Sequence, residues 1–143
     1  INVRIEHIYG PNDNKHKFVN WLLNELDRNN NINLTEGVQT RDFIYVEDVV
    51  HGYLEIIKNI NILRSGFNQI DLGTGISTSV KDFVTYAHQI TNSKSILNFG
   101  SIPYRENELM SSAANTTFMN KISWKYKFGY QEGIEKTIEE NKN

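Results

Sequence analysis

The chain has 143 residues, enough for one domain with a single core, and a formal net charge of -2. That balance supplies no basic field for nucleic acid, and no apolar stretch reaches the length of a membrane span. Cysteine is absent, which excludes disulfides, thiolate nucleophiles and cysteine zinc sites and suits a reducing, cytoplasmic setting.

The opening residues Ile1 to Ile5 alternate without a Met or a charged leader, so the chain reads as the rear part of a longer protein. Val3, Ile5, His7 and Tyr9 recur with period two, which predicts a strand from Asn2 to Tyr9. Gly10 to Asn14 stops it with turn-forming residues. Phe18, Leu22 and Leu26, with Val19 and Leu23 beside them, predict a helix over 15–28, ended by Asn29-Asn30-Asn31. Ile32 and Leu34 mark a short strand, and Glu36-Gly37 turns the chain.

The stretch Gln39 to Asn59 follows. Arg41-Asp42 precede a strand, Phe43 to Val46, with Phe43 and Tyr45 expected on either face of it. Glu47 and Asp48 suit the positive end of the helix that follows, and Asp48 is placed to cap its free N–H groups. Val49, Tyr53 and Ile57 form its predicted stripe, with Val50 and Leu54 alongside. Phe67 to Leu72 reads as a strand ending in Gly73-Thr74-Gly75. Ser79 and Asp82 form a capping box for a helix with Val80, Phe83, Val84, Ala87 and Ile90 on one face. Ile96 to Phe99 is a further short strand.

Gly100 to Ala114 is long for a compact domain and is therefore a candidate functional loop. Asn115 or Thr116 can cap a short helix holding Phe118, Met119 and Ile122, and a last helix covers 131–141 with Ile134 and Ile138 as anchors. Alternating strands and helices, without repeats or linkers, give one α/β unit over 1–143.

The chemistry-bearing residues are cations and polar groups at strand ends and in loops. The four histidines show no metal-ligand spacing, so no metal is expected. Gly73-Thr74-Gly75 lacks the third glycine of a dinucleotide fingerprint and fits a tight corner better than a phosphate cradle. The planar fork of Arg41 suits a diphosphate, and it equally suits an ion pair with Asp42 or Asp48. Taken alone, Arg105 is a solvated loop arginine and His7 a hydrogen-bonded structural residue. No tyrosine is followed by lysine at the fourth place: Tyr53 leads to Ile57, Tyr86 to Ile90, Tyr104 to Glu108 and Tyr126 to Tyr130.

Five segments in order, RIEHIYGPND, KFV, LTEGVQTRDFIYVEDVV, DLGTG and IPYRENE, resemble the extended short-chain dehydrogenase/reductase family. Within it they are similar to the NAD-dependent sugar-nucleotide epimerases, dehydratases and 4-reductases, and in detail to CDP-sugar enzymes of the abequose synthase type. The resemblance implies the C-terminal part of a Rossmann-type enzyme, including its small α/β substrate-binding region, with the N-terminal cofactor half lying upstream. It implies NAD or NADP as cofactor, a nucleotide-diphosphate sugar as ligand, a homodimer for the full protein, and hydride transfer at hexose carbon 4. Arg41 and Arg105 are then expected on the phosphates, Lys17 and Phe18 along the nucleotide pocket, and Leu34 and Thr35 beside the base. His7 stands where the family has Asn, and Asp71 where many members have Asn, so Asp71 is expected to bond a sugar hydroxyl or a backbone group. The family's catalytic Tyr-x-x-x-Lys pair is missing, so this segment is expected to transfer no hydride. A non-enzymatic nucleotide-binding module, or an inactive product, is the alternative.

Overall fold

A computed structural model describes residues 1–141. In chain order the strands are β1 (Asn2–Ile5), β2 (His7–Tyr9), β3 (Ile32–Asn33), β4 (Thr40–Arg41), β5 (Phe43–Tyr45), β6 (Gln69–Leu72), β7 (Thr78–Ser79) and β8 (Leu97–Asn98). The helices are α1 (Phe18–Asp27), α2 (Val46–Lys58), α3 (Val80–Thr91), α4 (Thr117–Lys121) and α5 (Tyr130–Asn141), with a 3₁₀ turn at Ile60–Ile62.

The strand predicted from Asn2 to Tyr9 breaks at Glu6. The Glu6 N–H donates to the Leu72 carbonyl and the next one, of His7, to the Asp42 carbonyl, so the chain changes neighbour between them. β1 therefore runs parallel to β6, and β2 parallel to β5. β3 pairs with β8 in parallel, and β4 pairs with β7 antiparallel.

β5 divides the interior. Phe43 and Tyr45 both enter one core with Tyr9, Ile32 and the inner faces of α1, α3 and α5. Ile44 enters a second core with Val49, Ile56, Ile70, Leu72, Met119 and Trp124. The expectation that Phe43 and Tyr45 face opposite ways is corrected, because residues two apart on a strand share a side. Both faces of this short strand are covered, so all its residues are buried.

α1 starts at Phe18 rather than at residue 15. The Asn14 side chain accepts from the His16 N–H and its carbonyl from the Lys17 N–H, which holds 15–17 as a turn. Asn29 takes a left-handed φ of 56° at the other end, and the Asn30 N–H returns to the Glu25 carbonyl, closing the helix. In α3 the predicted cap is present, with the Asp82 N–H donating to Ser79 Oγ at 2.9 Å. β6 begins at Gln69, leaving Phe67 exposed outside it.

α2 corrects two expectations. Its buried face is Asp48, Val49, Gly52 and Ile56, whereas Val50, Tyr53, Leu54 and Ile57 are exposed. Gly52 fits this phase: a Cβ there would lie 2.6 Å from Leu72 Cδ1, so a larger residue would have to displace the buried Leu72 side chain for the helix to approach β6 as closely. Asp48 caps nothing in its own helix. Its carboxylate accepts the N–H groups of Lys127 (2.8 Å) and Phe128 (3.0 Å), which pins the segment leading into α5.

Among the described residues, no helix is long and apolar enough to cross a membrane.

Candidate functional site

The site is built on β4. Its two residues pair with β7 on one edge, and on the other the segment 100–114 is hydrogen-bonded to the same strand. The Thr40 N–H donates to the Met110 carbonyl, and the Ser112 N–H donates to the Thr40 carbonyl. Further back, the Ile102 N–H donates to the Leu34 carbonyl and the Val38 N–H to Tyr104 Oη. The long segment is therefore tied down at several points. Between the ties it forms a turn, with Asn107 at a φ of 61° and the Glu108 N–H returning to the Arg105 carbonyl. That turn presents Arg105 and Glu108 together.

A cleft of about 460 Å³ lies between this segment, β4 and α1. Its charged and polar lining includes His7, Arg41, Arg105 and Glu108, and its apolar lining includes Phe18, Trp21, Leu34, Phe43 and Val80. A concave site of this size, apolar with a few convergent polar groups, has the general character of a small-molecule pocket.

Arg41 is buried at 8% exposure, which requires a partner for its charge. The predicted partners, Asp42 and Asp48, are both engaged elsewhere. Instead Arg41 donates to Glu108 Oε1 at 2.5 Å and to the Thr40 carbonyl at 2.8 Å. Its planar fork retains further N–H donors beside the cleft. His7 packs the edge of its ring against Phe43, with centroids 5.9 Å apart. Lost hydration, and then the neighbouring Arg41 charge, push its pKa below the ordinary imidazole value.

Of the residues singled out in the sequence, His7, Phe18, Leu34, Thr35, Arg41 and Arg105 line this one cleft. Two do not. Lys17 pairs with Asp13 at 3.0 Å and lines a separate, shallower hollow beyond His7. Asp71 accepts from the Arg4 guanidinium at 2.7 Å and, as one of its two expected roles has it, from a backbone group, the Asn115 N–H, at 3.3 Å. The lining residues not singled out as site residues in the sequence include Glu108, Trp21 and Gln39. Glu108 lies three residues after Arg105, but its role follows from the burial of Arg41, which the sequence does not register. Gln39 is buried and donates from Nε2 to Thr35 Oγ1 at 3.1 Å.

The Gly73-Thr74-Gly75 turn does not fit a dinucleotide's pyrophosphate. Its N–H groups already point at a carboxylate. Asp42 accepts from the Thr74 N–H (2.9 Å), the Thr74 hydroxyl (2.6 Å), the Gly75 N–H (2.8 Å) and the Ala114 N–H (3.0 Å). The carboxylate fills the corner so fully that a Cβ on Gly73 would lie 2.5 Å from Asp42 Oδ2. No step of chemistry is therefore assigned to a cofactor at this turn. Among the described residues, no group of three or more His, Cys, Asp or Glu side chains is placed to hold a metal ion.

Comparison with known proteins adds the family. The model of the NAD dependent epimerase/dehydratase family matches residues 1–68. A CDP-abequose synthase from Salmonella typhimurium is 39% identical over 141 residues, covering 96% of this chain and 47% of that protein. The solved structure of an NAD-dependent NDP-hexosamine 5,6-dehydratase involved in tunicamycin biosynthesis is 26% identical. It superposes with a TM-score of 0.78 over 99% of this chain and 44% of its own. A UDP-glucose 4-epimerase from Thermotoga maritima, solved with UDP-glucose, has the same fold at 22% identity, with a TM-score of 0.82 over 98% of this chain and 45% of its own. The chain spans about half the length of the curated relatives it matches.

Proposed function

The chain belongs to the NAD dependent epimerase/dehydratase family, and from that premise we propose that it is the nucleotide-sugar-gripping, C-terminal part of an NAD(P)-dependent enzyme acting at carbon 4 of a nucleotide-linked hexose. The observation that carries this reading is Arg41. A guanidinium buried at 8% exposure, fixed by Glu108 and Thr40, keeps free donors beside a cleft that also holds Arg105. A diphosphate matches such a pair, since each arginine supplies parallel charge-assisted hydrogen bonds. The apolar lining of Phe18, Leu34 and Val80 suits the base, and His7 donates a hydrogen bond towards the phosphates or the sugar.

In this reading the chain's contribution is orientation. Holding the diphosphate rigidly fixes where the sugar lies, so that the reacting carbon meets the chemical groups in one geometry. The bound cofactor supplies the hydride chemistry in the whole protein. Glu108 holds the Arg41 fork in place before the ligand arrives, which lowers the ordering cost of binding.

The test is made in the whole protein, with Arg41→Ala and Arg105→Ala as single changes. Each loss of charge-assisted bonds is expected to weaken apparent nucleotide-sugar affinity by about 1.5–3 kcal/mol. Unchanged affinity in both variants for every sugar nucleotide turned over sinks the proposal.

A further inference from the structure

The two tryptophans of the chain occupy unlike places. Trp124 is buried at 4% exposure within the core around Ile44. Trp21 is only half-buried, on the edge of the other core and in the wall of the cleft. The fully buried apolar residues of α1 are Val19, Leu22, Leu23 and Leu26, and Trp21 packs against the margin of that core with part of its ring left open. It stands one helical turn from Phe18, and the two rings meet at 6.3 Å with their planes tilted by 35°. Among the described residues its indole N–H makes no hydrogen bond. A large aromatic surface left half-open beside an apolar-lined cleft is a surface in want of a flat partner.

Resting on the nucleotide reading above, we propose that Trp21 is the stacking platform for the nucleobase and supplies much of the affinity that distinguishes a nucleotide from a bare diphosphate. The cleft's chemistry divides accordingly. Arg41 and Arg105 meet charge, and would hold inorganic pyrophosphate as well as a nucleotide. Trp21 and Phe18 meet a π-face, which pyrophosphate lacks. Base–aromatic stacking is sequence-tolerant, so Trp21 sets affinity for a base as such. Choice between bases falls to polar groups in the same lining, of which Gln39 and Thr35 are already paired with each other.

The experiment titrates the 143-residue chain and its Trp21→Leu and Trp21→Phe variants with CDP and, separately, with inorganic pyrophosphate, by calorimetry. Tryptophan emission of the unchanged chain is recorded alongside. CDP is expected to alter the emission and pyrophosphate to leave it nearly unchanged. CDP affinity should fall on the order of ten-fold in Trp21→Leu and be largely retained in Trp21→Phe, while pyrophosphate affinity stays the same in all three. CDP affinity in Trp21→Leu within about two-fold of the unchanged chain overturns the stacking role, as does an equal loss for both ligands. If neither ligand binds the unchanged chain, the diphosphate reading of the cleft falls, and this inference with it.

Discussion

The Gly73–Gly75 turn and the cleft at Arg41 each gather hydrogen-bond donors, and they differ in what already occupies them. At the turn, N–H groups converge as they do in an anion site, but the anion is part of the chain. Asp42 accepts all of them and has no exposed surface. At the cleft the positive groups have one internal counter-ion, Glu108, against the two cations Arg41 and Arg105, and donors remain. A local pattern of donors is therefore not a binding site until its partners are counted. The turn is a joint, tying β5's entrance to the end of the long segment. The cleft is open.

Disrupting the joint should have the largest effect. Asp42→Ala strands one buried donor, the Ala114 N–H, and three partly buried ones, at about 1–3 kcal/mol for a fully buried group, and a loss of about 3 kcal/mol or more is expected in denaturant unfolding. A loss below about 1 kcal/mol would mean that water or rearrangement replaces the carboxylate, and that the turn is more open than described. Asp48→Ala makes the same kind of test elsewhere. Two N–H groups of the segment before α5 lose their acceptor, with an expected cost of about 2 kcal/mol.

Opening the cleft further should act on binding, and also on folding, because Arg41 loses the counter-ion of a buried charge. Glu108→Gln removes the negative charge beside Arg41 but keeps the shape, so affinity for inorganic pyrophosphate is expected to rise several-fold, by about 1 kcal/mol. A fall in affinity in a titration of that variant would show that Glu108 serves mainly to aim Arg41.

The smallest effect concerns protons. The pKa of His7 lies below its unfolded value, so at pH below about 6.5 the unfolded chain takes up a proton that the folded one refuses. Stability is then lost as pH falls through that unfolded value, and His7→Gln should flatten this part of the pH–stability curve. A bound diphosphate reverses the local field and favours imidazolium, so binding near pH 6 should take up protons, seen as a buffer-dependent calorimetric heat. Equal heats in buffers of different ionisation enthalpy would remove His7 from the diphosphate's surroundings.

The sequence carried the element order well, because periodicity and turn residues are local. Val19, Leu22, Leu23 and Leu26 in α1, and the Ser79 cap of α3, lie where their spacing put them. It failed where a distant partner decides. α2 is apolar on more than one side, and its true phase brings Gly52 against Leu72, a contact that no hydrophobicity pattern registers. Asp48 has the position of a helix cap, yet its acceptors serve N–H groups 79 and 80 residues further on. The same holds in the site. Arg41, Arg105, His7, Phe18, Leu34 and Thr35 were recognisable through family resemblance, and the fold brings them to one cleft. Lys17 was drawn away by its neighbour Asp13, and Glu108 became visible only once Arg41 proved to be buried.

The most direct test of the difference between joint and cleft is a crystal structure of the chain with CDP. The account predicts density for two phosphates within hydrogen-bond distance of Arg41 and Arg105, with Asp42 still holding Thr74 and Gly75. Phosphate density at the Gly73–Gly75 turn, with Asp42 displaced, would contradict it.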